Sequence, residues 1–354
     1  MSRFHPLSVK DIRRETADSV SLVFNLPEAL KQTFSFTPGQ YLTLRTMLGG
    51  TECRRSYSIC SGLQDGELRI AVKKVAGGVF STFANEKLKP GAVLDVLPPE
   101  GRFVADPARD RHLVFFAAGS GITPVLSIIR SALAGNTRTR ISLFYGNRTT
   151  ASIMFREALE DLKDRYLGRL SVFHILSRES QDIDILNGRI DQAKVALLTK
   201  TMVPPAEVDA YFLCGPYSMV EEGRAALTAS GVDAKRIKAE LFSTDGAPRV
   251  APKPSAAHAT GGVSTVDCQL DGITYHIEVR PDERIVDSAH AQGVELPYSC
   301  KGGMCCTCRC KVTEGKVTMD ANYSLEPWEM EAGFVLACQS RPQTPVVKLD
   351  FDAS

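Results

Sequence analysis

The chain has 354 residues, with 42 Lys and Arg against 41 Asp and Glu, and a formal net charge of +1. This length predicts two or three domains, and a hydrophobic content of 44% excludes a globally disordered chain. So small a net charge argues against a general nucleic-acid-binding protein. No segment is predicted to cross a membrane, because the nearest candidate, 113–129, is short and interrupted by Gly and Pro. The N-terminus lacks the apolar core of a signal peptide, so a cytoplasmic location is expected.

Residues 1–106 are predicted to form an antiparallel β-barrel. Short strand-like runs, including 19–24, 41–45 and 68–72, are separated by Gly- and Pro-containing turn signals. The motif RSYS (55–58) offers a guanidinium for a pyrophosphate, a ring that can stack on a flavin and a hydroxyl for the ring edge. The motif GGVFST (77–82) opens a helix, which is a phosphate-binding arrangement. RSYS alone also fits an ordinary edge strand, but the two motifs together indicate a cofactor site.

Residues 107–242 alternate between buried strands and amphipathic helices. Apolar runs at 112–119, 140–147, 170–177 and 209–216 read as strands. Helical patterns follow at 124–134, 151–166, 190–198 and 219–229. This alternation predicts a doubly wound parallel sheet with helices on both faces.

Two features of this sheet suggest a nucleotide site. GSGITP (119–124) joins a strand to a helix, where a doubly wound sheet binds a dinucleotide pyrophosphate, although a plain strand–helix turn is equally compatible. Cys214 ends another strand and could face a nicotinamide, while simple packing also explains a buried thiol there.

Residues 243–262 are rich in Pro and Gly and are predicted to be a linker before a last module, 263–354. This module begins with a strand, an Asp271-Gly272 turn and a second strand, which predict a hairpin. It contains 8 Lys and Arg against 14 Asp and Glu, so an acidic module follows a basic body. Opposite net charges favour electrostatic attraction between partners.

Ten cysteines are unevenly spread, and five of them lie within 300–310. In a reducing compartment they are expected as metal ligands, catalytic groups or buried residues rather than disulfides. Cys300, Cys305 and Cys308, with Cys338 downstream, have the C-x4-C-x2-C…C spacing of plant-type [2Fe–2S] ferredoxins. A structural zinc site is the alternative, although only one C-x2-C pair is present. Cys306 and Cys310 fall outside the ligand pattern.

Taken together, the motifs resemble the ferredoxin–NADP reductase family with a fused plant-type ferredoxin domain. The resemblance rests on RSYS (55–58), GVFS (78–81), GSGITP (119–124), CGP (214–216) and the C-terminal cysteines, and it covers the chain apart from the linker. Within the family, 144–166, 298–312 and 322–339 resemble the reductases of bacterial phenylacetyl-CoA epoxidase complexes. The reductases of ketosteroid 9α-hydroxylases have a similar layout.

The resemblance implies three folded parts: an FAD-binding barrel, an NAD(P)-binding α/β domain and a β-grasp ferredoxin domain. It also implies roles for individual residues. The implied FAD contacts are Arg55, Tyr57, Ser58, Gly78, Val79, Ser81 and Phe242. The implied nicotinamide-nucleotide contacts are Gly119, Gly121, Thr123 and Cys214, and Cys214, Tyr57 and Ser58 are the implied catalytic residues. Cys300, Cys305, Cys308 and Cys338 are the implied cluster ligands.

Ser177 and Arg178 follow a predicted strand end, as does the family's Ser-Arg pair that grips the 2′-phosphate of NADPH, and Arg148 follows the preceding strand. NADPH is therefore the expected coenzyme, with NADH as the alternative. The family implies electron flow from NADPH through FAD and the [2Fe–2S] cluster to a di-iron oxygenase partner. The alternatives are a reductase for a Rieske-type oxygenase and, in a different class, a redox-sensing binding module.

Overall fold

The computed structural model describes residues 4–106, 111–243 and 262–353. These residues form two compact units, one with 4–53 and 57–243 and the other with 54–56 and 262–353. The predicted linker, 243–262, lies outside the described residues except at its two ends. Within the described ranges, no helix is both long enough and apolar enough to span a bilayer.

The N-terminal part is a six-stranded sheet. Its strands are β1 (His5–Thr16), β2 (Ser19–Asn25), β3 (Tyr41–Leu48), β4 (Thr51–Ser58), β5 (Leu68–Lys73) and β6 (Val93–Val96). The strand order is β4-β3-β6-β1-β2-β5, and an antiparallel bridge between Ile59 and Ile70 joins its two ends into a barrel. One helix, α1 (Val79–Glu86), contributes the buried ring of Phe80 to the barrel core. The predicted antiparallel barrel is confirmed.

The second part is a five-stranded parallel sheet covered by helices. Its strands are β7 (His112–Ala118), β8 (Arg140–Asn147), β9 (Leu170–Leu176), β10 (Ala210–Pro216) and β11 (Ile237–Ser243). Its helices are α2 (Ile122–Gly135), α3 (Arg156–Arg165), α4 (Gln192–Thr201) and α5 (Tyr217–Ala229). The order is β11-β10-β7-β8-β9. The chain therefore reverses its winding between β7 and β10, and ligands of such sheets bind at this switch point.

The helix predicted at 151–166 is shorter in the structure. A 3-10 turn at Thr150–Ser152 precedes α3, which begins only at Arg156. Phe155 has φ 58° and is buried in the core, so the chain cannot continue a right-handed helix through it.

The C-terminal unit contains a five-stranded mixed sheet, a separate two-stranded sheet and a helix, α6 (Ile285–Ala291), that packs on the larger sheet. Its strands are β12 (Ser264–Leu270), β13 (Ile273–Val279), β14 (Arg309–Glu314), β15 (Val317–Met319), β16 (Phe334–Leu336), β17 (Ser340–Pro342) and β18 (Val346–Asp350). A short helix, α7 (Pro327–Glu331), precedes β16. Asp271 and Gly272 both have positive φ, as a two-residue hairpin turn requires. The cysteine-rich loop runs from α6 to β14.

Candidate functional site

The two cofactor motifs of the barrel lie against each other. Tyr57 is the last but one residue of β4, and its ring centroid is 5.4 Å from that of Phe80 in α1. Residues about twenty positions apart in sequence are thus adjacent in the fold. Arg55 lies exposed on β4, and its guanidinium donates to the carbonyl of Arg54 at 2.6 Å.

The turn before α1 is held by the Ser81 hydroxyl. This hydroxyl accepts a hydrogen bond from the Val75 N–H at 3.2 Å and donates to the Gly78 carbonyl at 3.2 Å. A groove of about 470 Å³ is lined by Gly78, Val79 and Lys87, among others. The backbone at the start of α1 therefore faces an open groove, whereas the Ser81 hydroxyl bonds within the turn. Contact of that hydroxyl with a phosphate stays a prediction.

Ser58 meets the end of β11. Its hydroxyl donates to Oε2 of Glu240 at 3.4 Å, although the two residues are 182 positions apart. The Glu240 carboxyl is enclosed by protein, while part of the side chain remains accessible. Burial raises its pKa to about 8, against a smaller lowering effect of the Ser58 hydrogen bond. Near neutral pH this carboxyl therefore carries a proton.

Cys214 stands directly beside Glu240, because the parallel register of β10 and β11 pairs these two residues. The thiol is fully buried, and burial followed by the charge of Glu240 raises its pKa well above the usual value. Cys214 is thus a neutral thiol. Ser58, Glu240 and Cys214 form one cluster, and sequence reasoning had missed the chemical role of Glu240 within it.

The GSGITP turn lies against the backbone of Cys214 in the same cluster. A side chain at Gly121 would place its Cβ 2.1 Å from the Cys214 carbonyl, so only glycine fits. Gly119 has φ 55° and its carbonyl accepts from the Tyr145 hydroxyl at 2.8 Å. The Thr123 hydroxyl is buried and donates to the Ser120 carbonyl at 3.0 Å. The turn is therefore fixed at the switch point, next to Cys214.

Phe242 follows Glu240 by two residues on β11. Its side chain is partly buried and packs against the apolar core that contains Cys214.

Arg148, Ser177 and Arg178 come together at the carboxyl edge of the sheet. They follow β8 and β9, whose last residues, Asn147 and Leu176, are paired in register. The Arg178 N–H donates to the Arg148 carbonyl at 2.8 Å. Within 4–106, 111–243 and 262–353, neither guanidinium has a carboxylate within salt-bridge distance, and both side chains are exposed. This edge therefore offers two cations to an anionic group.

The four predicted cluster ligands lie together as two pairs. The Cys305 thiol hydrogen-bonds to Cys300, which lowers the pKa of Cys300 to about 5, and Cys308 likewise lowers the pKa of Cys338. In the described part of the chain, no three His, Cys, Asp or Glu side chains converge as ligands of one ion. Four cysteines that pair without three of them converging on one point suit a two-iron cluster, in which each iron takes two sulfurs, better than a single tetrahedral zinc.

The loop around the four thiols is shaped to hold such a group. The backbone N–H of Gly302 donates to the Cys300 sulfur at 3.3 Å, and N–H groups of Met304 and Cys305 also stabilise its thiolate form. A Cβ at Gly303 would lie 3.0 Å from the Ala321 carbonyl, and its φ is +76°. The residues present therefore fit a [2Fe–2S] cluster.

Sequence reasoning missed Gln339. Its buried amide donates to the Lys301 carbonyl at 2.8 Å, to the Cys338 carbonyl at 3.0 Å and towards the Cys338 sulfur at 3.6 Å. It therefore links the Cys300 loop to the Cys338 turn. Its position directly after a ligand was the available signal.

The cysteines of the C-terminal unit that lie outside the ligand set either pack in its core or form a hydrogen bond. Cys268 and Cys310 are fully buried in the core of the C-terminal unit. Cys306 is partly buried and its thiol donates to the Ser324 hydroxyl at 3.0 Å.

Three family models match the chain in sequence order. They describe an oxidoreductase FAD-binding domain at 6–104, an oxidoreductase NAD-binding domain at 115–224 and a 2Fe-2S iron-sulfur cluster binding domain at 268–343. A relative from Escherichia coli (strain K12), a component of 1,2-phenylacetyl-CoA epoxidase, is 44% identical over 100% of this chain and 99% of its own. The chain belongs to the family of flavin and iron–sulfur oxygenase reductases.

A second relative of this reductase is the ferredoxin reductase component of 3-ketosteroid-9-alpha-monooxygenase from Rhodococcus rhodochrous. It is 35% identical over 99% of this chain and 97% of its own. The solved structure of phthalate dioxygenase reductase covers 98% of both chains at a TM-score of 0.60 and 21% identity, which shows the same three-part fold. The reductase uses FAD, NAD(P)H and a [2Fe–2S] cluster, and it is an electron-transfer oxidoreductase rather than a zinc protein.

Proposed function

We propose that this reductase delivers electrons from NADPH to the di-iron oxygenase of a phenylacetyl-CoA epoxidase complex, in phenylacetate degradation. The observation that carries the proposal is 44% identity, over the full length of both chains, to a component of such an epoxidase. The identity to the ketosteroid monooxygenase reductase component is lower, at 35%. The cytoplasm is the proposed location, and it is supported by the ten cysteines, none of which forms a disulfide in the described structure.

In the nucleotide site, Glu240 and Cys214 hold protons, and Ser58 positions the Glu240 carboxyl group. When bound, FAD accepts a hydride from NADPH and the cluster passes electrons on singly. Glu240 holds a proton on its carboxyl near neutral pH, with Ser58 fixing the orientation of Oε2. Cys214 keeps a neutral thiol at the switch point, so it adds no negative charge where a hydride arrives. Cys300, Cys305, Cys308 and Cys338 would bind the cluster.

Reconstitution with the oxygenase components of the Escherichia coli epoxidase tests this function. NADPH-dependent oxygenation of phenylacetyl-CoA is expected with the wild-type chain. The rate of NADPH oxidation is expected to equal the rate of phenylacetyl-CoA oxygenation. A parallel assay uses the oxygenase of a ketosteroid 9α-hydroxylase. Support of the ketosteroid reaction without support of the epoxidation would contradict the proposal.

NADPH is proposed over NADH because two exposed guanidiniums, those of Arg148 and Arg178, stand at one sheet edge. A guanidinium binds a phosphate in bidentate fashion, and only NADPH carries a 2′-phosphate. Arg178→Ala is expected to raise the KM for NADPH about tenfold or more, with little change for NADH. Arg138→Ala, an exposed position before the amino end of β8, is the control. Equal changes for the two coenzymes would remove this role.

A further inference from the structure

The helix α7 of the C-terminal unit presents an unusual surface. Trp328, the chain's single tryptophan, is 59% exposed and Met330 is 44% exposed. Pro327 and Glu331 are also exposed. We name these four residues the Trp328 surface. Large aromatic side chains are usually mostly buried, so an exposed tryptophan with an exposed methionine on the same five-residue helix is a candidate contact site.

The helix under this surface is anchored to the unit. Glu329, which lies between Trp328 and Met330, is 1% exposed and forms a 2.8 Å ion pair with Arg309. The Arg309 guanidinium in turn lies 3.5 Å from the ring centroid of Phe334. Glu326 and Glu329 also form a capping box at the start of the helix. Because Glu329 is anchored inward, the helix backbone is fixed and Trp328 and Met330 lie on its outward half, so a partner need not order this backbone.

The surface is connected to the ligand loop by a short segment. The Asn322 amide donates to the Met330 sulfur at 3.2 Å. The next two residues bond to the cysteine loop, since the Tyr323 N–H and the Ser324 hydroxyl both donate to the Gly303 carbonyl, at 3.0 and 3.2 Å. Gly303 lies between the ligands Cys300 and Cys305. A protein seated on this surface therefore approaches the four thiols, as electron transfer over a short distance requires.

The rim of the surface carries negative charge at Glu331. The stretch 320–333 contains four Asp and Glu and no Lys or Arg. Asp320 is paired with Arg284 and Arg341, and Glu329 with Arg309. Glu331 is exposed beside Trp328. This carboxylate makes the rim negative beside the indole, which favours a partner that presents Lys or Arg.

We propose that the Trp328 surface is the docking site for the electron-accepting oxygenase component, which presents an apolar pocket for the indole bordered by Lys or Arg. This inference rests on the proposed function. Tryptophan is enriched among the few interface residues that carry most binding energy, and an acidic rim sets approach and register.

The test compares Trp328→Ala with Ile273→Ala, which removes another exposed apolar side chain, 55% exposed, from β13 of the same unit. Electron transfer from the NADPH-reduced chain is measured against oxygenase concentration. Trp328→Ala is expected to raise the KM for the oxygenase about tenfold or more. Ile273→Ala is expected to leave it unchanged, and Trp328→Phe to restore part of the affinity. The visible spectrum of the cluster and its rate of reduction by NADPH are expected to match the wild type in all three variants.

A charge variant tests the rim. Glu331→Lys is expected to raise the KM for the oxygenase at low ionic strength, with the difference disappearing at high salt.

Three results would overturn the inference. One is an unchanged KM for the oxygenase in Trp328→Ala. A second is slower reduction of the cluster by NADPH in that variant, which would assign the surface to contact within the chain. The third is loss of a dimer in sedimentation with no change in KM, which would assign the surface to contact with a second copy of the chain.

The proposed function can fail separately. If the wild type reduced only the ketosteroid oxygenase, the proposed function would be wrong. The same comparison of variants on that oxygenase would still decide the docking site.

Discussion

Glu240 acquires its chemistry from residues that are far away in sequence. Ser58 comes from the barrel and Cys214 from β10, and only the β10–β11 register and the fold of the first unit bring them together. The sequence predicted Ser58 and Cys214 through local motifs. It could not predict the pKa of Glu240, because that depends on burial created by distant segments.

The pH dependence of flavin reduction tests this cluster. With a pKa of about 8, Glu240 is protonated at pH 7 and becomes an anion above pH 8. An anion beside the reacting site opposes the arrival of a hydride, so the rate constant for FAD reduction by NADPH is expected to fall as pH rises through 8. Glu240→Gln should remove this fall, and stopped-flow absorbance at about 450 nm, in the flavin band, measures it. A wild-type rate that is flat from pH 6 to about 9 would contradict the assignment.

Gln339 should set the reduction potential of the cluster. Its amide donates towards the Cys338 sulfur, and hydrogen bonds to the sulfurs stabilise the more negative, reduced state. Gln339→Leu is expected to lower the potential by tens of millivolts, since about 59 mV is a tenfold change for one electron. The exposed Gln269→Leu is the control. A spectroscopic redox titration that finds equal potentials for Gln339→Leu and the wild type would rule out this role.

At the level of elements, periodicity predicted the parallel sheet best. The strands β7 to β10 and the helices α2, α4 and α5 lie where apolar runs and helical patterns indicated. Several elements were missed or misplaced, and two of them have a clear physical reason. α7 is only five residues long and starts at a proline, so it has too little periodicity to detect. α3 starts late because Phe155 is in the left-handed region.

The turn between β7 and α2 depends on the absence of a side chain at Gly121. Gly121→Ala places a Cβ 2.1 Å from the Cys214 carbonyl, so the turn or β10 must shift. The expected loss is about 1–3 kcal/mol of unfolding free energy, with a higher KM for NADPH. Gly135→Ala, where a Cβ would meet nothing within 4 Å, is expected to be neutral or slightly stabilising. Equal thermal stability of the two variants would show that the close approach is unimportant.

At the scale of the whole molecule, the cysteine spacing and the motif order predicted the three parts and their cofactors. The near-zero net charge conceals an acidic C-terminal module, and that module carries the cluster ligands and the Trp328 surface. Spacing identified the four ligands. Only the folded loop shows that they pair while, among the described residues, no three possible ligands converge on one ion, which favours a two-iron cluster over zinc. The domain boundaries at 106 and 242 and the linker stay predictions.

We expect electrons to reach the protein acceptor only through the cluster held by Cys300, Cys305, Cys308 and Cys338. The most direct test is a matched pair of neighbouring variants, Cys305→Ser and Cys306→Ser, studied by stopped-flow reduction with NADPH and by transfer to the oxygenase. Cys305→Ser is expected to abolish transfer to the oxygenase while NADPH still reduces FAD, and Cys306→Ser to retain both. Loss of both reactions in Cys305→Ser, or undiminished transfer to the oxygenase, would contradict the serial path.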